Sequence, residues 1–358
     1  MVSPTTFRRA AIASLVMSVL IVVTGAAVRL TGSGLGCPDW PSCYRHRLTA
    51  QLSYHPAIEF GNRLVTVVFT IVVVATLLAA IRRVPFRRDL VWLSGGLVGG
   101  VLAQAVLGGI VVYTKLNPYL VMTHLLLSMV VIVVAVVLLR RCTRDYRAGA
   151  GTDLVPRPIR LLARAVVGLT FVVVAAGTAT TGAGPHAGGS QGQLVAKRLP
   201  VSLRDMAELH SSLALLLVGA VIGLAVALHT LAVPEQVRRA ARVLTALLVA
   251  QGVIGYTQYF SHLPALLVEV HVIGATALVV GVTQLLLALT HHPAEQPSET
   301  RDPSAPTAGP DGDGAARGTD GDPGDRAVAT ASVGPDAPTS PGSVPAHQPR
   351  SGRAPVPG

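Results

Sequence analysis

The chain has 358 residues, of which 51% are hydrophobic and 13% are charged, and its formal net charge is +11. Soluble domains carry about 25% charged residues, so this composition excludes an ordinary soluble domain and favours an integral membrane protein. Sixteen of the 24 lysines and arginines before residue 293 fall on alternate connections between apolar runs. That distribution is typical of cytoplasmic loops rather than of a nucleic-acid-binding surface, and we expect no nucleic acid partner.

Eight apolar runs are long enough to cross a bilayer as helices, for which about 20 residues suffice. The predicted spans are Ala10–Val28, Phe60–Ile81, Leu90–Tyr113, Tyr119–Leu139, Leu161–Thr181, Met206–Leu231, Ala240–Phe260 and Leu263–Leu289. The basic connections put both termini in the cytoplasm, so every even-numbered span begins at the outer face. The sequence therefore predicts an all-α, multi-pass protein of the cell membrane.

The first apolar run, which follows Arg8 and Arg9, has the form of a cleavable signal peptide. Its end, Thr31-Gly32-Ser33-Gly34, is nevertheless echoed after the fifth span by Thr181-Gly182-Ala183-Gly184. This echo favours the first helix of an internal repeat over a removable leader.

A second repeat joins a glutamine to a histidine 20 residues later. Gln104 precedes His124, and Gln251 precedes His271, so the two copies are offset by 147 residues. Duplication on this scale predicts two tandem, pseudo-two-fold-related four-helix bundles. The expected domains are residues 1–145 and 161–292, with a cytoplasmic linker at 146–160. The Pro-, Gly-, Ala-, Ser- and Asp-rich segment 293–358 is expected to be a disordered cytoplasmic tail.

Two cysteines and a cluster of polar residues lie near the outer ends of the first two spans. Cys37 and Cys43 are six residues apart on a predicted external loop, where oxidation is permitted, so a disulfide is the first interpretation. A redox-active pair and a free pair are the alternatives. Glu59, Asn62 and Arg63 form either an interfacial ion pair or a functional site, because ionisable groups at membrane depth are functional candidates.

Three histidines fall at one predicted depth near the outer face. They are His124, His210 and His271, each early in an even-numbered span, and the duplication places Asn62 at the fourth equivalent position. A facing pair of histidines in a four-helix bundle suits haem iron. Zinc is a weaker alternative, because no cysteine or carboxylate set completes a tetrahedral site.

Haem also requires partners for its propionate groups. Basic side chains on the outer side are suited to this role, because they recognise carboxylates. They include Arg29, Arg63, Lys115, Lys197, Arg198 and Arg204. His186, on the glycine-rich connection after the fifth span, is a ligand, a hydrogen-bond donor or a solvated residue.

Four motifs, taken together, resemble the haem A synthase family, and the resemblance covers residues 10–290. They are Gly25-Ala26-Ala27-Val28-Arg29-Leu30-Thr31-Gly32-Ser33-Gly34-Leu35, Cys37-Pro38-Asp39-Trp40-Pro41, Glu59-x-x-Asn62-Arg63 and Thr181-Gly182-Ala183-Gly184-Pro185-His186-Ala187-Gly188. The resemblance implies an eight-helix enzyme of two similar four-helix bundles. Such an enzyme oxidises the C8 methyl of haem O to the formyl group of haem A, through hydroxymethyl haem, for terminal oxidases.

The resemblance also implies roles for individual residues. The C-terminal bundle would hold a haem b cofactor between His210 and His271, with Arg204 beside it. The N-terminal bundle would bind the substrate haem O through His124, Asn62, Arg63 and Arg29. Glu59 would be the catalytic carboxylate, and the cysteine pair matches one found in many members.

One position departs from the family pattern, since Asn62 stands where the helix-2 motif has histidine. Asparagine is a poor iron ligand, so we expect His124 to be the one strong axial ligand and Asn62 to bond water or a propionate. Weaker, more exchangeable substrate binding or lost activity would follow. The mechanistic hypothesis is that Glu59 stabilises cationic character at the oxidised methyl or accepts its proton.

Two other functions remain open at this point. A di-haem electron carrier would use the same histidines without modifying haem, and a haem chaperone would use Glu59 and Asn62 as an exchange site. For the enzyme, the expected partners are haem O synthase, an electron acceptor such as a quinone, membrane lipid and, in an oligomer, further copies of the chain.

Overall fold

The computed structural model describes residues 1–44, 49, 53–142, 152–191 and 194–291. Within these ranges, eight helices are each long and apolar enough to cross a membrane, which confirms the predicted all-α, multi-pass membrane class. They are α1 (Pro4–Leu30), α2 (Tyr54–Ile81), α3 (Arg88–Tyr113), α4 (Pro118–Cys142), α5 (Arg157–Ala183), α6 (Leu203–Thr230), α7 (Glu235–Phe260) and α8 (Ala265–Ala288). The predicted tail, 293–358, lies outside the described residues.

Most helices begin several residues before the predicted spans. α1, for example, starts at Pro4 rather than Ala10, and the side chain of Ser3 caps it by accepting from the Thr6 amide. An apolar run identifies only the part of a helix that lies in the hydrocarbon core of the membrane. The polar first turns outside that core have the same backbone hydrogen bonds, so the helix begins earlier. α8 instead starts two residues late, because Leu263 adopts a positive φ of 59° that a helix excludes.

The helices pack in two closed sets of four. α1 contacts α2 and α4, and α3 contacts α2 and α4; the same cycle joins α5, α6, α7 and α8. We call α1–α4 the N-terminal half and α5–α8 the C-terminal half. In each half the even-numbered helices lie diagonally opposite one another, which brings the predicted site residues onto facing helices.

The two halves share an apolar interface that α8 and α4 dominate. α8 contacts both α1 and α4, and α4 also contacts α5. Fully or almost fully buried residues fill this interface, among them Met129, Ile132 and Val136 of α4 and Val279 of α8. Each half also has an apolar cluster of its own.

In the described part of the chain, four two-residue strands join connecting segments without changing the fold class. β1 (Thr152–Asp153) pairs antiparallel with β4 (Thr290–His291), which joins the segment before α5 to the end of α8. β2 (Ser190–Gln191) pairs antiparallel with β3 (Leu194–Val195) in the connection from α5 to α6.

The echoed glycine-rich segments after α1 and α5 meet each other. The Gly34 amide donates to the Gly188 carbonyl at 2.9 Å, and Ser33 forms an antiparallel bridge with Gly189. Gly188 has a φ of +105°, a backbone conformation that side chains disfavour, so glycine is required there. The repeat that the sequence revealed therefore corresponds to a physical junction between the halves.

The duplication also extends to an unusual turn that ends α3 and α7. Lys115 and Leu116 have φ values of 54° and 59°, and their counterparts 147 residues later, His262 and Leu263, have 63° and 59°. Such left-handed non-glycine residues cost on the order of 1 kcal/mol each. In both turns the second residue donates its amide to a carbonyl five residues back, closing the helix end.

Candidate functional site

The C-terminal half contains a cavity of about 570 Å³. Its lining comes from α5, α6, α7 and α8, from residues 184–186 and Leu263 of the connections, and from two apolar side chains of α4, Leu125 and Met129. Small-molecule and cofactor sites occupy roughly 300–1,000 Å³ and are mostly apolar with a few polar groups. The cavity has this character, and His210 and His271 are among its polar groups.

The two histidines face each other across the cavity from diagonal helices. The ring centroids of His210 and His271 are 6.2 Å apart, and the ring planes are inclined by 79°. Nδ1 of His210 lies 3.0 Å from the Val173 carbonyl oxygen, which fixes this nitrogen as the donor. Nε2 of His210 is then left with a free lone pair, the form in which imidazole binds a metal.

The ring separation fits a shared haem iron. A metal lies about 2 Å from a coordinating imidazole nitrogen, and the ring centre lies about 1 Å behind it, so opposed axial imidazoles have centres about 6 Å apart. The observed 6.2 Å agrees with this. Among the described residues, no group of three or more His, Cys, Asp or Glu side chains forms an alternative metal cluster such as a zinc site would need.

Glycines on the odd-numbered helices let the backbone approach these rings. A Cβ placed on Gly177 would lie 3.0 Å from Cε1 of His210, and one on Gly255 would lie 3.3 Å from Cε1 of His271. A side chain at Gly177 would press against the imidazole. These glycines therefore support the histidine geometry, a role that the sequence alone did not reveal.

The repeated glutamines fix the backbone of the histidine helices. Nε2 of Gln104 donates to the His124 carbonyl oxygen at 2.9 Å, and Nε2 of Gln251 donates to the His271 carbonyl oxygen at 2.8 Å. The 20-residue spacing thus joins α3 to α4 and α7 to α8 by the same interhelical hydrogen bond. Gln104 has the packing role expected of a polar residue inside an apolar span.

The N-terminal half places Asn62 and His124 on the corresponding diagonal helices, α2 and α4. Oδ1 of Asn62 accepts a hydrogen bond from the Thr24 hydroxyl at 2.7 Å. Nδ1 of His124 is buried and has no hydrogen-bond partner within the described part of the chain. Asn62 is thus turned toward α1 by a contact that the sequence did not predict, whereas the counterpart His210 faces the histidine opposite it.

Glu59 and Arg63 form the ion pair that the sequence offered as one interpretation. Glu59 is 5% exposed; its Oε1 accepts from Nη2 of Arg63 at 2.6 Å, and its Oε2 accepts from the Cys37 amide at 2.7 Å. Arg63 also donates to the carbonyls of Cys37, Asp39 and Ser42 at 2.8–3.2 Å. Both side chains therefore hold residues 37–43, which we call the cysteine loop, against α2. The same two residues belong to the predicted substrate site.

The expected disulfide joins Cys37 to Cys43. The loop that it closes is also attached to α3, because the Tyr113 hydroxyl donates to the Trp40 carbonyl at 2.6 Å. The Trp40 indole packs on the backbone of Gly109, where an added Cβ would lie 2.8 Å from a ring carbon. Trp40 was a motif residue in the sequence without an assigned role.

The predicted propionate partners are not brought together in one place. Nε of Arg204 donates to Glu208 at 2.8 Å at the edge of the cavity, where the Arg204 side chain is 80% exposed. Nε of Arg29 donates to the His186 carbonyl at 3.0 Å, at the junction of the halves. His186 also lines the cavity, and its Nε2 lies 2.8 Å from the Leu263 carbonyl, so it serves as a hydrogen-bond donor.

Comparison with known proteins gives a family match over most of the chain. The COX15-CtaA family model, described as cytochrome oxidase assembly protein, matches residues 8–283. This range includes all eight helices except the N-terminal residues of α1 and the C-terminal residues of α8.

Several curated relatives share a shorter stretch. A protein named heme A synthase from Geobacillus kaustophilus is 38% identical over 111 residues, which cover 30% of this chain and 34% of the relative. Heme A synthases from Geobacillus thermodenitrificans and Lysinibacillus sphaericus are 37% and 34% identical over 112 and 119 residues, 31% and 32% of this chain and 34% and 38% of the relatives. The matches thus span about a third of the length of these relatives.

Proposed function

The chain belongs to the cytochrome oxidase assembly protein family, and from this membership we propose that it is a haem A synthase. The proposed reaction oxidises the C8 methyl of haem O, through hydroxymethyl haem, to the formyl group of haem A. The family match over residues 8–283 carries the proposal, and the pair formed by His210 and His271, whose ring centres are 6.2 Å apart at an apolar cavity, supports a bound haem. The curated relatives that share part of the sequence are named heme A synthase.

The C-terminal half is proposed to hold a haem b cofactor. His210 and His271 would be its axial ligands, and Arg204 at the edge of the cavity would pair with a propionate. The hydrogen bond to the Val173 carbonyl orients the His210 ring, and Gln251 fixes the backbone at His271. When bound, this haem supplies a one-electron redox centre that takes up electrons and passes them to an acceptor such as a quinone.

The N-terminal half is proposed to bind the substrate haem O. His124 is the available imidazole there, because Nδ1 is buried without a partner and Asn62 is bonded to Thr24. Arg29 is suited to a substrate propionate, since only its Nε is engaged, with the His186 carbonyl, among the contacts described. One strong axial ligand rather than two makes this a site from which the product can leave.

Glu59 is proposed to act on the substrate methyl as it is oxidised. Its carboxylate is buried and lies on α2 about one turn before Asn62. Conversion of the methyl to hydroxymethyl with water removes two electrons and two protons, and Glu59 would accept a proton or stabilise the positive charge that precedes water addition. Arg63 orients the carboxylate through the 2.6 Å ion pair.

A specific observation also supports a second candidate, a di-haem carrier or haem chaperone that leaves haem unmodified. Both oxygens of Glu59 are engaged, one by Arg63 and one by the Cys37 amide. A carboxylate held in this way has a structural role even if no methyl is oxidised. The same histidines would then serve electron transfer or haem delivery.

Pigment analysis separates the two candidates. The chain is co-expressed with a source of haem O, the protein is purified, and its haems are extracted and separated. Haem A or hydroxymethyl haem in the extract is the result expected of the enzyme. Haem b with unchanged haem O, from protein that carries its full complement of haem, would overturn the enzyme and favour the carrier or chaperone.

A further inference from the structure

The cysteine loop places the aromatic ring of Trp40 in the N-terminal half, at a position that can be compared with its counterpart in the C-terminal half. Trp40 lies on Gly109, and Gly109 immediately follows Gly108, whose added Cβ would lie 3.5 Å from Cε1 of His124. The loop is fastened on both sides, by Arg63 of α2 and by Tyr113 of α3. Trp40 is therefore held against the wall of the half that contains His124.

The corresponding wall of the C-terminal half has its own aromatic ring. The residue 147 positions after Gly109 is Tyr256, which lines the cavity next to Gly255. Tyr256 stacks on Phe260, the counterpart of Tyr113, with ring centroids 6.3 Å apart and planes inclined by 15°. In this half, the ring belongs to the helix itself.

The two halves thus supply an aromatic ring at equivalent positions in different ways. Tyr256 is part of α7, so the helix fixes its backbone, whereas its side chain is 52% exposed. Trp40 is on a short loop, and Gly109 provides the bare backbone on which the indole rests. Flat apolar rings pack well against aromatic side chains, which contribute binding energy beyond their buried area.

We propose that Trp40 is a substrate-binding residue of the N-terminal half, forming a removable aromatic wall beside the haem that His124 holds. The inference rests on the proposed binding of a haem substrate in this half. Displacement of the loop, which would break its hydrogen bonds to Arg63 and Tyr113, would withdraw the ring and let the haem exchange, whereas the backbone of Tyr256 stays in α7. The occupant that fits is a planar, apolar macrocycle such as haem O.

Fluorescence reports haem bound near Trp40, because the chain contains two tryptophans, Trp40 and Trp92. Trp92 is 77% exposed, and it lies on α3 about 25 Å from Gly109 at 1.5 Å per residue. In a Trp92→Phe protein that retains its haem b, titration with haem O is expected to quench the remaining emission, saturating at one haem per chain. His124→Ala in the same background should abolish this quenching. Unchanged emission during haem O binding, or equal quenching in the His124→Ala protein, would overturn the proposal.

The rate at which haem O is released to a haem-scavenging apoprotein tests whether Trp40 slows the loss of the substrate. Gly109→Ala is expected to displace the indole and speed release about three- to tenfold, the range expected for loss of one aromatic contact. Gly99→Ala is the matched control, because a Cβ on this glycine of α3 meets nothing within 4 Å. Its release rate should stay within about twofold of the parent, on the scale of an ordinary surface change.

Trp40→Ala supplies the second variant, since it introduces no clash and should speed release as much as Gly109→Ala does. The double variant Trp40→Ala/Gly109→Ala should be no faster than Trp40→Ala alone, because the added methyl no longer meets an indole. Additive effects, or release rates equal to those of Gly99→Ala, would contradict the proposal. Haem A formation is measured in parallel: normal haem A with unaltered release rates rejects the wall but leaves the enzyme standing.

Discussion

The two halves share a backbone plan but treat their diagonal helices differently. In both, a glutamine donates to the carbonyl of a histidine, and a glycine lies against that histidine ring. In the C-terminal half the opposite helix offers His210, whereas in the N-terminal half it offers Asn62, bonded to Thr24. Under the proposed function, the duplicated scaffold keeps one site for a resident ligand and adapts the other for a ligand that leaves.

Replacing one histidine of the C-terminal pair should change the bound haem more than any other substitution. His271→Ala leaves His210 alone in the cavity, and we expect the b-type absorption spectrum of the purified protein to be lost. His124→Ala is the matched control, since it changes the equivalent residue of the other half, and it should retain the spectrum. A b-type spectrum that survives His271→Ala would mean that the resident haem is held elsewhere.

Neutralising the buried carboxylate should affect only the N-terminal half. Glu59→Gln removes the negative charge beside the proposed substrate, and haem A formation should fall at least about 100-fold, as for loss of a general base. The b-type spectrum should be unchanged. Glu235→Gln is the control, because Glu235 is an exposed partner of Arg238 and Arg242 outside the N-terminal half and the cavity. Haem A yields from Glu59→Gln that match those of Glu235→Gln would remove Glu59 from the chemistry.

Restoring a histidine on α2 should make the halves more alike. Asn62→His gives His124 a partner on the diagonal helix, and we expect the purified protein to retain a second haem, measured as the haem-to-protein ratio. The double variant Asn62→His/His124→Ala should return to the parent ratio. A ratio that stays at the parent value in Asn62→His would show that the Thr24 contact or the helix spacing, rather than the missing imidazole, limits haem retention.

The repeated glutamines should give the smallest effects. Interhelical hydrogen bonds in membranes contribute about 0.6 kcal/mol on average and at most about 1.7 kcal/mol. Gln104→Met and Gln251→Met should each lower the free energy of unfolding in detergent by about this amount, and only Gln251→Met should weaken haem b retention. Equal losses of haem b in the two variants would contradict the assignment of one resident haem to the C-terminal half.

Much of the fold could be predicted because its signals are local or periodic. Apolar runs marked the eight helices. The sequence also showed that Gln104 and His124 recur 147 residues later as Gln251 and His271, with the same 20-residue spacing. The same duplication, with a one-residue shift on the second helix of each half, identified Asn62, opposite His124, as the counterpart of His210. The membrane sidedness of the termini and the domain boundaries around residues 145 and 161 remain predictions.

The contacts that distinguish the halves could not be predicted, because they join segments that no periodicity relates. Thr24 reaches Asn62 from another helix, and Trp40 reaches Gly109 from a loop. The turns that begin at Lys115 and His262 could not be predicted either, because glycine is the usual sequence signal for a positive φ and neither turn contains one. Arg63 was expected at a propionate, and its bonds to loop carbonyls depend on how the disulfide loop folds back.

Haem exchange distinguishes a resident site from an exchanging site within one chain. Purified protein loaded with isotope-labelled haem b and haem O is mixed with unlabelled haems, and loss of label is followed over time by mass spectrometry. We predict two populations per chain: a fast one that disappears with His124→Ala, and a slow one that disappears with His271→Ala. A single exchange rate for both haems, or a slow population that His124→Ala removes, would contradict the division into a resident site and an exchanging site.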